Sequence, residues 1–168
     1  MSTASPRLIT NYCYEDISLD QTVAVTRTIT ADDIALFAAL SGDFNPVHLD
    51  SEYAASTPFG KPIAHGMICG ALISATVAMN FPGPGSIYRS QTIKFSKPVF
   101  IGDELTIHIS VKEKQDRLKL VTLSCVIKNQ DGKTVASGES GVIAPSEKVS
   151  IEAATLPPIS LGDKLYTH

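Results

Sequence analysis

Ile63 to Asn80 reads IAHGMICGALISATVAMN, apolar nearly all round over about four helical turns. A helix with no polar face has nothing to offer water and belongs in an interior. The period changes straight after it. Ser86 to Phe95, Glu104 to Glu113, Leu118 to Lys128 and Thr134 to Ile143 read as strands, with Leu105, Ile107, Ile109 and Val111 in clean alternation. Gln130-Asp131-Gly132 marks a tight turn, because Gly tolerates the positive φ such turns need, and polar Gln115 to Arg117 marks the one before.

Upstream, Gln21 to Thr28 (QTVAVTRT) alternates and predicts one more strand. Thr30 then stands as an N-cap, with Asp33 three positions on and Asp32 also in the first turn. The helix from Ala31 to about Leu40 carries Ile34, Phe37, Ala38 and Ser41 on one side, and SGDFNP stops it. Asp50 caps a short helix over Ser51 to Ala55. One buried helix followed by antiparallel strands predicts an α+β chain in the hot dog arrangement, an antiparallel sheet wrapped around one long central helix. A sheet of five or six strands has an open edge, and homodimerisation would cover it. After Pro145 the periodicity is lost, so residues 1–144 are expected to form the domain and 145–168 an irregular tail or linker.

The 168 residues suit one domain, large enough to bury roughly 70% of its unfolded surface. A net charge of −3 and the absence of Trp point away from nucleic acid, and a polyanionic ligand would need locally placed cations. Cys13, Cys69 and Cys125 are widely spaced with no CxxC pair, which favours a reducing, cytoplasmic compartment over a zinc knuckle or dithiol site. The first residues lack a basic start and apolar run, and the longest apolar stretch contains Gly70, Ser74 and Thr76 and is too short to span a bilayer, so no membrane partner is expected.

The chemistry concentrates in Gly42-Asp43-Phe44-Asn45-Pro46-Val47-His48-Leu49-Asp50. A rigid Asn-Pro turn can fold Asp43 and His48 towards one point, and a carboxylate beside an imidazole brackets neutrality. Such a pair can orient a water, take its proton and return one to a nearby carbon. The competing reading is structural, with Asp43 and Asn45 satisfying backbone groups in Asx turns. A metal site from Asp43, His48, Asp50 and His65 matches no ordinary ligand spacing. At the head of the apolar helix, Gly66 would let a ligand oxygen approach its amide closely, or would merely allow close packing. His65 reads as a structural residue bonding nearby backbone, and Ser74 as either support for the site or helix filler. Cys69, inside an apolar helix with no charged neighbour, reads as a small hydrophobe rather than a nucleophile.

Together, FAALSGDFNPVHLDSEYAA, PIAHGM and GSIYRSQTIKFSKPVFIGDEL resemble the MaoC-like, (R)-specific enoyl-CoA hydratase family over roughly Asp16 to Ala144. The first segment fits the family's hydratase motif at Gly42, Asp43, Asn45, Pro46, His48, Asp50 and Ala54. The resemblance implies a homodimeric hot dog enzyme without metal or cofactor, acting on an acyl-CoA thioester. It also implies that Asp43 and His48 hold the reacting water, Asn45 supports them and the Gly66 amide forms the oxyanion hole. PSEKVSIEAATLPP is similar to the linker that follows such a domain in fusions with a phosphate acyltransferase. A hot dog thioesterase and a non-catalytic acyl-CoA-binding subunit are the rival readings.

Overall fold

A computed structural model describes residues 7–161 and 164–166. Its elements, in chain order, are β1 (Leu8–Thr10), β2 (Thr22–Thr28), α1 (Ala31–Ser41), α2 (Pro46–Leu49), α3 (Ser51–Ala55), α4 (Met67–Met79), β3 (Ile87–Phe95), β4 (Glu104–Gln115), β5 (Leu120–Lys128), β6 (Thr134–Ile143), β7 (Ser150–Glu152), β8 (Ile159–Leu161) and β9 (Lys164–Tyr166). Five of the strands form one antiparallel sheet in the order β2-β4-β5-β6-β3.

The sheet wraps α4, and the result is the expected α+β hot dog fold. Leu105, Ile107, Ile109 and Val111 of β4 are at most 1% exposed, as are Val121, Leu123, Cys125 and Ile127 of β5. These rows close on Ile68, Cys69, Ile73 and Val77 of α4 in a single core. Strand alternation sends every second residue inward, so two adjacent strands with apolar odd positions supply a continuous floor for the helix. One close approach has no room for a side chain: a Cβ at Gly138 of β6 would sit 1.9 Å from the Thr92 carbonyl oxygen on β3.

α1 starts as its sequence predicts. The Thr30 hydroxyl accepts from the Asp33 N–H at 3.1 Å while the Asp33 carboxylate accepts from the Thr30 N–H at 2.9 Å. This capping box satisfies two helix-end donors at once. Gly42 ends the helix in the left-handed region at φ 74°, a conformation that favours glycine.

Three findings depart from expectation. First, α4 begins at Met67, because Ile63 bridges to Phe100 in extended backbone and the Ala64 N–H donates to the Val99 carbonyl. Second, α4 is not buried all round. Ile68, Cys69, Ile73, Thr76 and Val77 face the sheet, whereas Met67, Ala71, Ser74, Ala75 and Ala78 lie exposed. A five-stranded sheet curls round one side of a helix only, and the outer stripe is mostly small residues that cost little to leave in water. Third, the segment from Pro145 contains short strands. β7 pairs with β1, and the 1%-exposed Asn11 donates its side-chain amide to the Glu147 carbonyl at 2.8 Å and accepts from the Val149 N–H at 3.0 Å. Periodicity cannot reveal a strand of three residues, because its partner lies some 140 positions away.

Candidate active site

The turn between α1 and α2 is built from short side chains bonding their own backbone. The Ser41 hydroxyl accepts from the Asp43 N–H, the Asp43 carboxylate from the Asn45 N–H, and the Asn45 carbonyl from the Val47 N–H, each at 3.2 Å. Asn45 thereby caps α2, with Pro46 in its first turn where no backbone donor is missed. The structural reading of Asp43 and Asn45 is thus correct as far as it goes, since both form Asx turns. It does not exclude chemistry, because the second carboxylate oxygen of Asp43 is left over.

That oxygen faces a histidine. His48 Nε2 lies 3.8 Å from Asp43 Oδ2, with side chains 10% and 50% exposed respectively. The gap is too long for a direct hydrogen bond and suits one bridging water. The other ring nitrogen of His48 is 2.8 Å from the Ile63 carbonyl oxygen. A carbonyl can only accept, so Nδ1 carries the hydrogen and the neutral ring presents its basic lone pair at Nε2, towards Asp43.

His65 joins the two halves of the site. It is 3% exposed, and its ring stacks on His48 with centroids 3.8 Å apart. Its Nε2–H donates to the Asp43 carbonyl at 3.0 Å, and its Nδ1 is buried with no hydrogen-bond partner among the described residues. The sequence expectation that His65 bonds nearby backbone holds, with the acceptor being the residue opposite His48. No sequence signal announces the stacking, since seventeen positions separate the rings.

Gly66 precedes α4 at φ −55°, ψ −38°, so its backbone demands no glycine. A Cβ there would meet the Phe95 ring at 3.4 Å. Among the described residues no acceptor meets the Gly66 N–H, which sits at the positive end of α4. Gly66, His48, His65, Ile63 and Cys69 line a cavity of about 350 Å³ that is completed by Phe59, Phe95 and residues 96–99.

Burial pushes the Cys69 thiol up to about 11, so it stays protonated and unreactive at neutral pH. Asp43, His48 and His65 have ligand atoms within 4.8 Å of one another and could hold a metal ion in principle. The donor set fits one poorly. His65 Nε2 is committed to a carbonyl, which leaves that ring only a nitrogen sealed from the cavity. Asp50, weighed as a fourth ligand, instead caps α3 by accepting from the Glu52 and Tyr53 N–H groups. Ser74 lies on the exposed stripe of α4 and outside the cavity lining, so one chain alone does not bring it to Asp43 and His48.

Comparison with known proteins places these features in context. The profile of the family described as "MaoC like domain" matches residues 16–131. An (R)-specific enoyl-CoA hydratase of Aeromonas caviae is 39% identical over 131 residues, covering 78% of this chain and 98% of that protein. One of Rhodospirillum rubrum is 42% identical over 141 residues, covering 83% and 95%. Among solved structures, the unliganded R-hydratase PhaJ1 of Pseudomonas aeruginosa superposes with a TM-score of 0.89 at 47% identity, covering 93% of this chain and all of that one.

Proposed function

We propose that this chain, which belongs to the MaoC-like dehydratase family, is an (R)-specific enoyl-CoA hydratase, a hydro-lyase that adds water reversibly to trans-2-enoyl-CoA to give (R)-3-hydroxyacyl-CoA. The observation that carries the reading is the facing pair His48 Nε2 and Asp43 Oδ2, set for one water, with His48 lining the same cavity as Gly66.

In the forward direction a water held between Asp43 and His48 loses a proton to the pair as its oxygen bonds to C3. The C2–C3 π electrons move onto the thioester carbonyl, and negative charge collects on that oxygen. The Gly66 N–H donates to it, and an oxyanion donor of this kind is worth about 3 kcal/mol. C2 then takes a proton back from the same side, so the thioester bond survives and addition is syn. His65 supports both members, through its stack on His48 and its bond to Asp43, and Asn45 supports the turn. No metal or organic cofactor enters any step.

The protein acts as a homodimer, closed by pairing of β3 with its copy. Both outer strands of the sheet are open, and β3 exposes Ile87 at 61% and Phe95 at 46% among polar Arg89, Ser90, Thr92 and Lys94, whereas the large exposed residues of β2 are Thr22, Thr26, Arg27 and Thr28. Of the two, the edge that carries large apolar side chains gains more from being covered. Three unpaired, buried cysteines fit a cytoplasmic setting, and no helix among the described residues is long and apolar enough to cross a membrane.

Hydration of crotonyl-CoA, followed as loss of enoyl-thioester absorbance with chiral analysis of the product, tests the reading. Formation of the (R)-alcohol with the thioester intact supports it. Release of free thiol would establish the thioesterase instead, and tight binding without turnover the non-catalytic subunit.

A further inference from the structure

The cavity extends well beyond His48. At Lys97 and Pro98, which line it, it adjoins a second depression lined also by Phe100, Asn129 and Gln130. Two lysines stand beside this second depression. Lys97 is exposed on the rim shared by both, and Lys61, also exposed, holds its ammonium 4.4 Å from the centre of the Phe100 ring.

Their charges are uncompensated. Lys112, Lys119, Lys133 and Lys148 each pair with a carboxylate, at 2.6 to 3.4 Å. Among the described residues, neither Lys61 nor Lys97 does. Of the acidic groups of the second depression, Asp131 pairs with Lys133, and the 9%-exposed Asp103 keeps its charge but directs its carboxylate to the Gln130 side chain and the Phe100 N–H. In a chain of net charge −3, two cations without a carboxylate partner beside one depression form a local anion-attracting spot against the overall field.

We propose that Lys61 and Lys97 bind the phosphate groups of the coenzyme A carrier, whose nucleotide end lies along the second depression over Pro98 and Phe100. The proposal rests on the hydratase reading for the direction of the substrate. With the thioester carbonyl at Gly66, the pantetheine arm runs out past Phe59 and Phe95, and the first strongly anionic part of the molecule emerges at Lys97. The aromatic ring beneath Lys61 holds the ammonium by cation–π attraction without neutralising it.

Kinetics of the full chain with crotonyl-CoA and crotonyl-pantetheine, which lacks the phosphates, test this. Lys61→Gln and Lys97→Gln are each expected to raise the ratio of the two KM values about threefold, and the double variant about tenfold, as for exposed ion pairs. Added salt should raise the wild-type KM for crotonyl-CoA and affect the double variant less. Lys112→Gln, an exposed cation on β4 that lines neither depression, should leave the ratio where it was. An unchanged ratio in the double variant would overturn the proposal, and so would a specific rise on an acyl carrier protein substrate alone. Calorimetric titration with coenzyme A itself separates this failure from failure of the hydratase reading. Weakened binding in the double variant of a protein that hydrates neither thioester would sink the hydratase and keep the lysines. Undiminished binding alongside full hydration would do the reverse.

Discussion

The two halves of the site are made in opposite ways. The Ser41 to Leu49 turn is exposed at most positions and held by side chains bonding backbone two residues on. The Gly66 end lies where α4 meets the sheet, and its position depends on Ile68, Ile73 and Val77 against β4 and β5. A locally built turn can be altered at its acting atoms without disturbing the fold. A helix set by packing cannot, and the same division separates residues whose loss costs rate from residues whose loss costs stability.

The largest effect expected from this division is on rate. Asp43→Asn and His48→Ala should each lower kcat by at least about a hundredfold with Tm nearly unchanged, because a missing acid–base partner forfeits on the order of 10² to 10⁴. Since both act on one water, the double variant should be scarcely worse than either single one. Steady-state kinetics beside thermal melts decide it, and a fully active Asp43→Asn protein would break the comparison at its stronger end.

Ile73→Ala should do the opposite. Ile73 is fully buried in α4, and its truncation should cost about 3 kcal/mol of stability, read from urea melts, while kcat of the remaining folded protein holds within a few-fold. A loss of kcat comparable to that of His48→Ala, with stability intact, would mean that α4 is part of the chemistry rather than its support.

Gly66→Ala tests the seam between the two regions. The backbone admits alanine, but the new methyl would lie 3.4 Å from Phe95, inside the cavity. We expect kcat/KM to fall about tenfold, or about 1.4 kcal/mol in transition-state binding, with little change in Tm. Unaltered kinetics would show that the thioester oxygen approaches another donor.

The smallest effect belongs to Asp33. Burial raises its carboxyl pKa, but the hydrogen bonds from the Thr30 N–H and hydroxyl and the Arg27 guanidinium outweigh that, and the net shift is downward. A lowered folded value means the carboxylate contributes stability above its ordinary pKa of 3.8, lost as pH falls through the folded value. Asp33→Ala should therefore cost about 1 kcal/mol at neutral pH and progressively less in acid, measured by denaturant melts across pH.

Much of this was open to reading in the sequence, for a physical reason in each case. Thr30 with Asp33 and Asp50 with Ser51 act within a few positions, so the chain itself announces α1 and α3. Alternation in β4 and β5 revealed the sheet because one face of it is wholly apolar. The one-turn helix α2 was read only as a turn, since four residues show no period. Strand β1, three residues long, was missed for the same reason.

Neighbouring residues alone settle the order of the long elements, the Thr30 and Asp50 caps, the buried rows of β4 and β5 and the presence of Asp43, Asn45, His48 and Gly66 in their motif. These rest on local bonding and on hydrophobic period, which are properties of neighbouring residues. Only the tertiary structure decided that His48 turns its basic nitrogen to Asp43, because the carbonyl that orients it belongs to Ile63, and that His65 stacks beneath it. It also decided that one face of α4 stays open and that Lys61 sits over Phe100, in the depression that Lys97 also lines. Each of these depends on segments far apart in the chain coming to lie side by side, and a linear pattern carries no record of distance in space.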